Sequence, residues 1–190
     1  MPVVKPAGWD YLWFLGHADI FSSATHEGAP SIRACTSDDV GILQKPVDFS
    51  FSEATRIRWR WKMDALPSAK SENSLPTHDY VSLAIEFENG LDLTYYWSAE
   101  LPVGTHYRCP LPNWDQRETH WVLRSGESGP GEWHAEERPL YQDYRVAVGD
   151  PPQRIVAVWL IAVSVFQKGQ AATQFAGVEL VDGERVLSVL

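Results

Sequence analysis

A chain of 190 residues with a formal net charge of -9 is 44% hydrophobic and 12% aromatic, with nine Trp and two Cys. That length predicts one domain over residues 1–190, able to bury a core without disulfides or metals. The negative charge argues against nucleic acid as a partner, and no apolar run approaches the ~18 residues of a membrane span.

The opening MPVVKPAGWDYLWFLG lacks the apolar segment and small-residue cleavage site of a secretory signal, so a cytoplasmic location is expected. HADIFSSA, PSIRACT and VGILQKPVDFSF follow as short strand candidates, separated by Gly, Pro and Ser-Asp-Asp clusters. RIRWRWKMD, Arg56 to Asp64, alternates cation and bulky apolar side chain. A strand there turns Ile57, Trp59 and Trp61 to the core and Arg56, Arg58, Arg60 and Lys62 to the other face. Next, YVSLAIEFE and LDLTYYWS flank Asn89-Gly90, the dipeptide that favours a type I′ hairpin. Val81, Leu83, Ile85 and Phe87 with Leu91, Leu93, Tyr95 and Trp97 make its apolar face; Ser82, Ala84, Glu86, Asp92, Thr94 and Tyr96 make the other.

ETHWVLR alternates in the same way, with Glu118, His120, Val122 and Arg124 opposite Thr119, Trp121 and Leu123. RPLYQDYRVAV carries Leu140, Tyr144, Ala147 and Val148 at helical spacing before Gly149-Asp150-Pro151-Pro152, predicting one short helix near 139–148. RIVAVWLIAV, Arg154 to Val163, is apolar on both faces, as a strand buried on both sides should be. FAGVELV, Asp182-Gly183 and ERVLSVL form a last hairpin. Many short strands with one helix predict an all-β fold, a two-sheet antiparallel β-sandwich of jelly-roll type. Three long loops, 67–79, 98–117 and 125–139, separate these elements, and the latter two carry Tyr107, Trp114 and Trp133 as walls for a pocket.

Pooling the polar faces of the four alternating strands gives Arg58, Arg60, Glu86, Asp92, Thr94, Tyr96, His120 and Arg124. If the strands are neighbours, the cations can hold a carboxylate or a polarised oxygen while His120 or Glu86 moves a proton. The alternative is a solvated face of cross-strand ion pairs. His78-Asp79 follows a Pro-containing loop, where Asp79 can also accept loop backbone N–H groups. His78 with His106, His120 or His134 could complete a metal site, but no HxH, HExxH or HxxxH spacing occurs, so no metal is assigned. Cys35 and Cys109 read as buried or half-buried free thiols. Gly-rich phosphate loops, a GxSxG elbow and dinucleotide fingerprints are absent, and no cofactor is expected.

The WRW of the Arg56 strand, the HDY after the long loop, YYWS, VLRSG and GEWHAEERPLYQDYRVAVG together resemble an uncharacterised bacterial domain-of-unknown-function family, number three-zero-four-seven. The resemblance spans roughly residues 55–180 and implies a β-sandwich with no settled activity.

Two functions from different classes follow. One is a small cofactor-independent acid/base enzyme of lyase, isomerase or hydratase type, acting on a small, partly apolar molecule. Its catalytic residues would be His120, Glu86, Asp79 and Tyr96, with Arg58, Arg60, Arg124, His78, Trp114 and Trp133 binding substrate. The other is a non-catalytic carbohydrate-binding sandwich in which Trp114, Trp133 or Tyr107 stacks on sugar rings. In either case the partner is a small-molecule ligand, and a homodimer stays open.

Overall fold

The computed structural model describes residues 3–126 and 131–190. In chain order the strands are β1 (Asp10–Phe14), β2 (Phe21–His26), β3 (Ala29–Ser37), β4 (Val40–Ser50), β5 (Thr55–Ala65), β6 (Tyr80–Phe87) and β7 (Asp92–Ser98). They continue as β8 (His106–Arg108), β9 (Glu118–Ser125), β10 (Trp133–Arg138), β11 (Arg154–Val163), β12 (Gln170–Asp182) and β13 (Arg185–Ser188). Helix α1 (Leu140–Ala147) lies between β10 and β11, and a single 3-10 turn covers Leu75–Thr77. Among the described residues no helix is long and apolar enough to cross a membrane.

Two sheets face one another, one in the order β1-β4-β11-β6-β7-β9-β8 and the other in the order β10-β5-β12-β3-β2, with β13 on β12. This is the expected jelly-roll type of sandwich. Its core is where the period-2 alternation places it: Ile57, Trp59 and Trp61 of β5 meet Leu83, Ile85, Leu93 and Tyr95 of the facing sheet, all buried. Trp59 stacks on Tyr95 with ring centres 5.6 Å apart, and Trp61 packs on Trp97 at 6.0 Å. Each such aromatic pair adds ~0.5–1.5 kcal/mol beyond the area it buries. Helix α1 closes one end of the sandwich, its Tyr144 ring 4.6 Å from Phe87. Asp143 of α1 accepts hydrogen bonds from Tyr95 Oη at 2.7 Å and from Arg138 Nε and Nη2 at 2.8 Å each.

Several local features differ from the sequence expectation. The Asn89-Gly90 turn is not type I′, because Gly90 (φ 80°) takes the left-handed conformation and Asn89 does not. Gly90 N–H donates to the Phe87 carbonyl at 2.9 Å, the geometry of a type I turn followed by a left-handed Gly. Strand β9 pairs with β7 in parallel, against the all-antiparallel expectation. A parallel neighbour needs a long crossover, and residues 99–117 supply it, forming β8 on the way. Strands β1, β8 and β10 lie in stretches read as terminus or loop; of the loop 125–139, residues 127–130 lie outside the described residues. Cys109 is buried as expected, whereas Cys35 is exposed on the outward face of β3.

One correction bears directly on function. Strand β5 belongs to the opposite sheet from β6, β7 and β9, so the four polar faces do not form one surface. Arg56, Arg58 and Arg60 point outward from the β10–β2 sheet and form exposed ion pairs with Glu137, Glu179 and Glu27.

Candidate functional site

The outer face of the β1–β8 sheet is also buried. Ala84, Tyr96, Val122, Trp159, Ile161 and neighbouring residues form a second apolar cluster there, covered by Leu101, Tyr107, Trp114, Val165 and Phe166. The long loop 98–117 and the turn after β11 supply this cover, and loop 66–79 packs beside it. Loop 66–79 is held by Glu72, whose carboxylate accepts from Ser98 Oγ at 2.6 Å and from the Ala99 N–H at 2.6 Å. The turn after β11 is held by Asp79, which accepts the N–H groups of Phe166 at 2.9 Å and Gln167 at 2.6 Å.

Polar side chains lie sealed beneath this cover. His120 of β9 is fully buried, and neither of its ring nitrogens has a hydrogen-bond partner among the described residues. Tyr107 stacks on the His120 ring at 5.3 Å, and His78 and Tyr80 meet it edge-on at 4.8 Å. His120 Nε2 lies 3.4 Å from Glu118 Oε1. Glu118 accepts from Tyr80 Oη at 3.1 Å and from Thr94 Oγ1 at 3.2 Å, and the same Thr94 hydroxyl lies 3.1 Å from Asp92 Oδ1. His78 shares a hydrogen bond between Nδ1 and the Glu72 carbonyl, while its Nε2 lies 3.4 Å from Cys109 Sγ.

Burial sets the protonation of this cluster. It pushes the Glu118 carboxyl up to about 7 and the Asp92 carboxyl well above the usual range, the nearness of the two acids adding to the rise for Asp92. It pulls His78 down to about 4 and His120 well below its ordinary value, so both imidazoles are neutral. Burial also raises the Cys109 thiol and the Tyr96 and Tyr107 phenols.

Beside the cluster a half-open cleft of about 140 Å³ reaches the surface. Its floor is Val40, Ile42, Ile161 and Val163 with the Glu118 carboxyl, and its walls are Trp13 and Leu15 on one side of the lining and Leu111, Trp114, Val165 and Phe166 from the covering segments. Arg117 sits over the rings of both Trp114 and Trp159, at 5.4 and 5.2 Å, and so braces the Trp114 wall.

Of the residues expected at a site, His120, His78, Asp79 and Tyr96 lie under this cover, and Trp114 lines the cleft itself. Glu86 stays on the same face, where it pairs with Arg117 at 3.5 Å. Arg58 and Arg60 are on the opposite outer surface, as is Trp133, which stacks on His26 at 3.7 Å. Arg124 leaves the polar face because the β7–β9 register shifts between Tyr96 and Trp97: it pairs with Trp97, lies 5.7 Å from that ring and reaches Glu136. Sequence reasoning left Glu118, Tyr80 and Trp13 out of the site and read Cys109 as a free thiol. The signal for Glu118 was present, since it shares the period-2 face of His120.

The sequence profile described as Protein of unknown function (DUF3047) matches residues 7–179, and the chain belongs to that family. No curated protein sequence matches it. Among solved structures it is similar to the family 11 carbohydrate-binding module of a cellulosomal cellulase from Clostridium thermocellum, with 10% identity, 94% of this chain and 90% of that one covered, and a TM-score of 0.51. A family 11 carbohydrate-binding module from Clostridium thermocellum in complex with a β-1,3-1,4-mixed-linked tetrasaccharide gives 11% identity, 94% and 91% coverage and a TM-score of 0.50. The xyloglucanase domain of a type three effector from Sinorhizobium fredii, in complex with cellobiose, gives 7% identity, 94% and 95% coverage and a TM-score of 0.51. The expectation of a lyase, isomerase or hydratase is thereby corrected. Of the cations it needs, Arg58 and Arg60 lie on the far sheet from His120 and Arg124 is turned off the polar face of β9, and the solved sandwiches of this shape include carbohydrate-binding modules.

Proposed function

We propose that this DUF3047 member is a non-catalytic carbohydrate-binding β-sandwich whose ligand rests in the cleft on the outer face of the β1–β8 sheet. The observation that carries the reading is the composition of that cleft: two Trp side chains, Trp13 and Trp114, on an apolar floor that offers the Glu118 carboxyl. A sugar ring has C–H faces that suit indole surfaces and a rim of hydroxyls that needs a few placed polar groups. The volume of about 140 Å³ is below the ~300–1,000 Å³ of pockets that enclose a drug-sized ligand. It therefore suits one ring of a chain that continues across the surface. The similarity in fold to a module solved with a mixed-linked β-glucan fragment supports a β-glucan as the first class to test.

The carboxyl pair does not favour cleavage. Glycoside hydrolysis places two carboxyls on either side of the scissile bond, whereas Asp92 is fully buried, lies outside the cleft lining and shares the Thr94 hydroxyl with Glu118.

The test is affinity electrophoresis and titration calorimetry of the whole chain with mixed-linked β-glucan, xyloglucan and their oligosaccharides. Binding to at least one is expected. Trp114→Ala should weaken it by at least about tenfold, the loss expected of a central aromatic anchor. No binding across the panel, or binding indifferent to both Trp114→Ala and Trp13→Ala, would overturn the reading.

A further inference from the structure

Beneath the cleft, groups that bind metals converge from three separate segments. His78 ends loop 66–79, Cys109 follows β8, and His120 and Glu118 stand two apart on β9. The ligand atoms of His78, Cys109 and His120 all lie within 4.8 Å of one another. The closest spacings are 3.4 Å from His78 Nε2 to Cys109 Sγ and 3.4 Å from His120 Nε2 to Glu118 Oε1. A tetrahedral ion with bonds of ~2.0–2.3 Å holds its ligand atoms ~3.3–3.8 Å apart. Two of the spacings already match a coordination shell, and the His78, Cys109 and His120 atoms, within 4.8 Å of one another, need to close by only ~1 Å to complete it.

We propose that His78, Cys109, His120 and Glu118 bind one divalent transition-metal ion of the zinc class. The donor set of two imidazoles, a thiolate and a carboxylate suits a borderline-soft ion rather than Ca²⁺ or Mg²⁺, which take all-oxygen shells. His78 is already oriented for it. Its Nδ1 faces the Glu72 carbonyl, the outer-shell bond that fixes the tautomer and leaves Nε2 free to coordinate. His120 gives the independent sign: a fully buried imidazole with no partner for either nitrogen among the described residues. A purely hydrogen-bonded core leaves that ring unexplained, because the large majority of buried polar atoms in folded proteins are paired and here both nitrogens of one ring are not. Binding replaces the thiol proton of Cys109 and any proton on Glu118, both released to solvent, with bonds to the ion.

The site would also have a structural consequence. With ligands on loop 66–79, on the crossover 99–117 and on β9, the ion ties that loop and the crossover to the sheet. Through Glu118 it fixes the acidic residue that lines the cleft among the described residues.

The experiment is to refold the whole chain with Zn²⁺ or Co²⁺, remove free metal by gel filtration, and measure bound metal and the Co²⁺ absorption spectrum. About one equivalent per chain is expected, with a thiolate-to-cobalt charge-transfer band and the intense visible bands of tetrahedral Co²⁺. Cys109→Ser should abolish the charge-transfer band, and His120→Gln should lower retained metal severalfold. Wild-type protein that is folded by circular dichroism but retains no metal, or a Co²⁺ complex without a thiolate band, would overturn the proposal whether or not the variants fold. Metal retention is read without any glycan, so its outcome is separate from that of the carbohydrate test.

Discussion

Asp79→Ala separates an architectural carboxylate from a catalytic one. The Asp79 side chain is buried and accepts two backbone N–H groups, from Phe166 at 2.9 Å and Gln167 at 2.6 Å, clamping the turn that supplies two walls of the cleft. A hydrogen bond to a charged group contributes ~1.5–3 kcal/mol, so two give ~3–6 kcal/mol before the cost of burying the carboxylate is set against them. That cost is real here, since burial raises the Asp79 pKa. The expected net loss is about 3 kcal/mol, which for a chain of this length lowers Tm by ~6–12 °C. Asp79→Asn keeps one oxygen for one N–H and turns its amide hydrogens on the other, so its loss should fall between wild type and Asp79→Ala. Urea titration followed by Trp fluorescence, with a thermal scan by circular dichroism, measures both. Asp79→Ala within about 0.5 kcal/mol of wild type, the ordinary range of a neutral surface change, would refute the clamp.

Two further outcomes follow from where other side chains lie. Arg58→Ala and Arg60→Ala remove exposed partners of Glu179 and Glu27, so each should change stability by less than about 1 kcal/mol and leave glycan affinity unchanged. A tenfold loss of binding in either variant would place the ligand on the wrong sheet. Asp143→Ala strips the buried Tyr95 hydroxyl and the Arg138 guanidinium of their shared acceptor, and should cost ~3–5 kcal/mol in the same urea titration.

The fold was largely legible because period-2 alternation reports the face of each residue directly. Trp59, Trp61, Leu83 and Tyr95 are in the core as the pattern requires. What alternation does not report is which sheet a strand joins. The basic face of β5 and the polar faces of β6, β7 and β9 look alike in sequence, yet one is solvated and the others are roofed by loops. The difference lies in pairings between segments distant along the chain, β5 with β10 and β12, β9 with β7. Arg124 shows the same limit at smaller scale, where one register shift overrides the alternation. Cys109 and His78 are 31 positions apart and meet only through the folding of two loops, so no spacing motif could announce them.

The charge balance of the roofed cluster also bears on what it can hold. Thr94 has one hydroxyl hydrogen and lies within reach of both Asp92 and Glu118, so it can satisfy only one of them. Arg117 comes no nearer than 3.9 Å to Asp92, and that carboxyl oxygen has no hydrogen-bond partner among the described residues. A proton on one of the two acids removes part of the repulsion, which agrees with the pKa of both being raised, chiefly by burial. It does nothing for His120, whose two nitrogens stay unpaired, or for His78 Nε2, an acceptor that meets only the weak thiol donor of Cys109. A divalent cation between His78, Cys109, His120 and Glu118 relieves much of this, because it replaces one carboxyl's need for a proton and gives each imidazole a bond through one ring nitrogen. The same ion would hold Glu118 with one oxygen toward the cleft, leaving a fixed acceptor for a sugar hydroxyl on an otherwise apolar floor.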